Sequence, residues 1–133
     1  MRFVNNKRNR TAGTGARLAR IADTLQDIYT LHPDITHLVR ERGFTMHNST
    51  TQLLFRVVGV FDYITFLNRP DLEVEEISPS EVKKLVTGIG NSSKKDVDKA
   101  LQKFLTHEID FINDDYSDSV AVGVASLLKN KHL

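Results

Sequence analysis

Cysteine is absent from the 133 residues, which excludes a disulfide framework, a thiol nucleophile and any zinc site built on thiolates. No apolar run approaches the roughly 18 residues of a membrane span, and the N-terminus has no apolar core of a signal peptide. The expectation is a cytoplasmic protein with no membrane partner. Acids are missing from the start of the chain: none precedes Asp23, whereas Arg2, Lys7, Arg8, Arg10, Arg17 and Arg20 all fall there. What is present is ordinary for one folded domain, with 40% hydrophobic and 26% charged residues.

The formal net charge of +1 hides an uneven distribution. Lys83, Lys84, Lys94, Lys95, Lys99 and Lys103 form a second basic concentration, and Asp110, Asp114, Asp115 and Asp118 an acidic one. Basic segments beside an acidic knot suit an enzyme that holds a polyanion and a metal on it. Solvated helix faces and a loose basic tail account for the same charges.

Residues 1–12 read as a basic segment with a short Met1 to Val4 patch, and residues 13–133 as the folded domain. From Arg17, apolar residues at Leu18, Ile21, Ala22, Leu25, Ile28 and Tyr29 predict a helix that His32-Pro33 ends. Ile35 to Glu41 reads as a short strand, and Gln52 to Phe66 as a helix buried on more than one side. Leu72 to Ile77 alternates like a strand. Ser78-Pro79-Ser80-Glu81 then has the chemistry of a helix start with a capping box. That helix runs to Gly88, and Gly88-Ile89-Gly90 is a turn. Ser92 or Ser93 caps the next helix, which carries Val97, Ala100, Leu101 and Phe104. A last helix spans about Asp114 to Lys129, with Val120, Ala121, Val124, Leu127 and Leu128 inside. Strands alternating with helices indicate an α/β layer architecture.

Asp115 and Asp118 lie three apart, so a helix projects both from one face toward a shared site. Glu41, at the C-terminal end of a predicted strand, lies where ligands gather in open α/β sheets. Convergent carboxylates repel one another, and a hard divalent cation relieves that repulsion. Stabilisation of a helix N-terminus is the simpler explanation of the aspartates from spacing alone. His32, His37, His47, His107 and His132 show no metal-ligand spacing, and no Ser/His/Asp arrangement emerges.

Taken together, Glu41-Arg42-Gly43-Phe44, Gly59, Val82 to Gly90 with Lys94, and Asp115 to Val122 resemble the RuvC family of Holliday junction resolvases. The resemblance covers roughly residues 13 to 128 in the family's order. It implies an α/β, RNase H-like three-layer fold with a central mixed sheet, and a homodimer that cuts four-way DNA junctions. It also implies Mg²⁺, with Mn²⁺ as a substitute, at two ions per site and no small-molecule cofactor. By the same resemblance, Glu41, Asp115 and Asp118 hold metal, and Lys83 and Lys94 stand near the scissile phosphate. Phe44 stacks on bases, and Lys84 and Lys95 join Lys83 and Lys94 in binding DNA. The helix from Gln52 to Phe66 matches the family's dimer contact.

Two departures stand out. The family's first-strand acid has no counterpart here, and Met1 to Val4 resembles the end of the third strand. An N-terminally incomplete fold lacking about 20 residues is therefore expected. Arg40 replaces an apolar residue and would face away from Glu41. The expected activity is metal-dependent hydrolysis of a phosphodiester at branched DNA, in recombination or repair. The alternatives are a relative that binds branched DNA without cutting it, and an unstable, non-functional fragment.

Overall fold

The computed structural model describes residues 13–43, 49–106 and 114–133. The basic segment 1–12, including the expected strand remnant at Met1 to Val4, and Phe44 lie outside the described residues. The elements in chain order are α1 (Thr14–Leu31), β1 (Leu38–Glu41), α2 (Ser49–Asn68), β2 (Val74–Ile77), α3 (Pro79–Thr87), α4 (Lys94–Leu101), a 3₁₀ turn (Gln102–Phe104) and α5 (Asp114–Lys129). Helix α1 ends where Pro33 requires it, with the His32 N–H bonded to the Ile28 carbonyl. Both strands are shorter than the alternation in the sequence predicts. None of the described helices is long and apolar enough to cross a membrane.

The chain divides into two compact units, residues 1–38 with 43–73, and residues 39–42 with 74–133. In the first, α1 and α2 are joined by polar contacts. Tyr29 and Thr65, both buried, share a hydroxyl–hydroxyl hydrogen bond of 2.6 Å. Gln26 and Asn68 pair their amides reciprocally at 2.7 and 2.9 Å. The Arg69 guanidinium reaches back to the Pro33 and Ile35 carbonyls at 3.1 and 2.8 Å and is oriented by Asp71. Helix α2 is not buried on more than one side: Leu54, Phe55, Tyr63, Phe66 and Leu67 are exposed. Its near-uniform apolar composition carries no stripe from which a burial face can be read.

In the second unit, β1 and β2 pair in a two-stranded sheet, extended by the Arg42 N–H to the Ile77 carbonyl at 2.7 Å. The core comprises Ile77, Val82, Val86, Val97, Leu101, Ala121, Val122, Val124 and Ala125, with Val39 and Leu85 packed against it. Leu127 and Phe104 lie outside this core, because α5 turns Leu127 outward and the chain leaves α4 before Phe104. On β2, Glu75 accepts from Ser126 Oγ at 2.8 Å, which ties the strand to α5. Glu76 instead meets Arg40 across the strand pair at 3.6 Å. Arg40 is nonetheless not separated from Glu41 as expected, because both line one open recess at the end of β1.

Replacing Tyr29 by Phe strips the buried Thr65 hydroxyl of its 2.6 Å partner. We expect a loss of about 1–2 kcal/mol, read as a fall of roughly 3–8 °C in Tm by circular dichroism.

Candidate active site

Each wall of the site begins with a local signal. Ser78 caps α3 by accepting from the Glu81 N–H at 3.2 Å, and Pro79 occupies its first turn. This sets Lys83 one turn in, beside the buried Val82. Ser93 caps α4 in a reciprocal box with Asp96, both bonds at 3.2 Å. Lys94 is therefore the first residue of α4, where the helix dipole disfavours a positive charge. It is compensated by ion pairs to Asp118 and to Asp98. A charge placed against the dipole and then neutralised from another helix marks a position kept for a reason other than helix stability.

Glu41 at the end of β1, Lys83 on α3, Lys94 on α4 and Asp118 on α5 line one cleft of about 180 Å³, floored by Val82, Val97, Ala121 and Val122. Glu41 and Asp118 also border a more open recess with Val39, Arg40 and Ser119. The site is reachable: the Asp118 side chain is 54% exposed and that of Lys94 37%. Because α5 begins at Asp114, Asp118 lies a full turn inside it, and the helix-end explanation for this carboxylate loses force. Burial, then the neighbouring Asp118 charge, push the Glu41 carboxyl above its usual range, while Lys83 and Lys94 pull it part of the way back.

Of the expected site residues, the structure brings Glu41, Lys83, Lys94 and Asp118 together. Lys84 and Lys95 are exposed and line no part of the cleft. Each follows a cleft lysine by one residue and so points about 100° away around its helix. Asp115 lies in the first turn of α5, and its side chain, like Phe44, is outside the described residues. Among the described residues no three acids or histidines gather as a ligand set. The two carboxylates in the cleft nonetheless fit a hard cation: their donors are all oxygen, and Glu41 is held in an environment that a positive charge would relieve. The Asp98 partner of Lys94 escaped the reading of the sequence, although its i,i+4 spacing was the available signal.

The fold and site define an α/β protein with carboxylates and lysines converging on an open cleft. The family profile described as crossover junction endodeoxyribonuclease RuvC matches residues 3–126. The RuvC protein of Salinibacter ruber is 32% identical over 87% of this chain and 64% of its own length. That of Rickettsia typhi is 30% identical over 87% of this chain and 73% of its own. The structure of Thermus thermophilus RuvC superposes with a TM-score of 0.78 at 14% identity, over 98% of this chain and 75% of that one. A second, T. thermophilus RuvC in complex with a Holliday junction substrate, gives 0.76 at 16% identity, over 90% and 72%. The chain belongs to the RuvC family and has its RNase H-like fold. It spans a little under two thirds of the length of the Salinibacter relative.

The Glu41 carboxyl titrates above the range of an unfolded glutamate, so folding disfavours its charged form. That penalty is fully present above the folded pKa and disappears as pH falls below the unfolded one. Glu41→Gln should therefore raise Tm at pH 7 in EDTA, by something on the order of 1 °C. The gain should vanish near pH 4, and paired melts at the two pH values check it.

Proposed function

We propose that this chain is a structure-selective endonuclease that resolves four-way DNA junctions by metal-dependent hydrolysis of a phosphodiester. The observation that carries the reading is the convergence of Glu41 and Asp118 with Lys83 and Lys94 in one solvent-open cleft of a RuvC-family chain. The neighbour solved with a Holliday junction supports the choice of substrate.

Glu41 and Asp118, with Asp115 on the preceding turn of α5, are the residues that would hold the metal. We assign it as Mg²⁺, with Mn²⁺ as a substitute and two ions per site. When bound, the metal supplies Lewis-acid polarisation of the phosphoryl oxygens and activation of water. Lys83 and Lys94 reach the cleft from two helices and can hold a phosphate between them. They also balance the charge that grows on its oxygens in the transition state. The hydrophobic floor of Val82, Val97, Ala121 and Val122 fixes these helices against one another. The exposed Lys84 and Lys95 extend the positive surface beyond the cleft and would follow the DNA backbone, while Phe44 is assigned to base stacking. Homodimer assembly is part of the proposal, supported by the exposed Leu54, Phe55, Phe66 and Leu67 on α2.

The test is a synthetic four-way junction incubated with the chain in Mg²⁺ or in EDTA. Paired nicks on opposite strands, in Mg²⁺ alone, are expected of a dimeric resolvase. A shifted band without nicks would instead select the alternative of a non-cleaving binder of branched DNA. Asp118→Asn should lower cleavage by about a hundredfold or more, with gel-shift affinity largely retained. Lys84→Gln and Lys95→Gln should each weaken binding to all DNAs alike. Each should also reduce the slope of log affinity against log salt by about 1, as titrations at several salt concentrations would show.

A further inference from the structure

The Lys94 ammonium faces two carboxylates at once. Asp118 meets it from α5, and Asp98, one turn further along α4, lies 4.0 Å away. The two partners differ in position: Asp118 lines the cleft with Lys94, and Asp98 does not. They also differ in how well they are satisfied. Asp98 Oδ1, the atom that faces Lys94, is shut off from water and accepts no hydrogen bond among the described residues. A separation of 4.0 Å is an ion pair but lies beyond hydrogen-bond reach, and a carboxylate oxygen left without a donor costs free energy.

Helix support does not account for the pair. A cation that precedes its anion by four residues is the weaker orientation against the helix dipole, and Lys94 opens α4 at the end where positive charge is disfavoured. Lys94 therefore depends on its partners to remain where it is. A divalent cation held by Asp118 would compete with the ammonium for that carboxylate and repel it. The lysine stem is flexible and its head carries three donors. A shift of about 1 Å toward Asp98 would turn the long ion pair into a hydrogen bond and satisfy the waiting oxygen.

We propose that Asp98 is a positioning residue that takes over the Lys94 ammonium when a divalent cation binds at Asp118. Lys94 is then a built-in competitor of the metal, and Asp98 lowers the cost of displacing it while keeping the lysine at the cleft. The inference rests on the proposed role of Asp118 as a metal ligand and adds to it a control on metal loading from outside the cleft.

The experiment titrates the full chain, without DNA, with Mn²⁺ and reads the unbound ion by electron paramagnetic resonance. Lys94→Gln removes the competitor and should tighten Mn²⁺ binding by about tenfold. Asp98→Asn should weaken it by about fivefold when Lys94 is present. The double variant should bind within about twofold of Lys94→Gln alone, because Asp98 acts through the lysine. Asp98→Glu, which keeps the charge, should stay within about twofold of wild type. Matching melting curves across the set confirm that the fold is intact. Equal weakening by Asp98→Asn with and without Lys94 would make Asp98 a nearby charge only and overturn the exchange, as would unchanged affinity in Lys94→Gln. Either result leaves Asp118 as a ligand. Wild-type Mn²⁺ binding that survives Asp118→Asn unaltered would overturn the metal assignment itself.

Discussion

Ala121 and Ala125 let α5 lie close against Ile77, Val82, Val86, Val97 and Leu101, and the functional half of the molecule depends on that packing. Close approach of a helix requires small side chains at the contact, and interior packing leaves little freedom to slide once it is made. The same helix carries Asp118 one turn from its start, on the face that turns toward Lys94 and Glu41. The position of the acidic group is thus a consequence of an apolar contact. Ser126, further along α5, fastens the other end through Glu75 on β2.

Around this frame, the site holds like charges in proximity and unlike charges in tension. Glu41 is partly withdrawn from water near a second carboxylate, which its raised proton affinity records. Lys94 stands at the positive end of its own helix and is held there by two aspartates. Neither arrangement improves the stability of the chain. Both make sense if the cleft is built to receive opposite charges together, a cation by the carboxylates and a phosphate by the lysines. The two caps at Ser78 and Ser93 contribute by fixing where each lysine begins its reach.

Much of this was legible from residues in order. The Ser78-Pro79 start, the Gly88 stop and the bounds of α5 follow from capping chemistry and periodicity and occur as expected, except that the Glu81 carboxylate pairs with Lys129 at 3.1 Å instead of closing the expected capping box. The small-residue pattern after Asp118 and the Val82 to Gly90 segment were specific enough to carry the family resemblance. Reading failed where burial depends on what lies opposite. Leu54, Phe55, Tyr63, Phe66 and Leu67 on α2 look like core and are exposed, and Leu127 on α5 likewise. Composition reports how apolar a helix is; only the neighbours decide which of its sides is covered.

The sequence by itself determined the elements and the residue types of the site, because caps, proline stops and helical spacing act over three or four residues. It also determined that Asp118 and a strand-end Glu41 are available as acids. Only the tertiary structure decided that Glu41, Lys83, Lys94 and Asp118, spread over 78 positions from 41 to 118, share one cleft while Lys84 and Lys95 do not. It alone brought Asp118 of α5 to the Lys94 ammonium that Asp98 of α4 also faces. The reason is physical: local rules fix the backbone within a segment, whereas which side chains meet across segments is set by how the apolar faces of β2, α3, α4 and α5 fill one core.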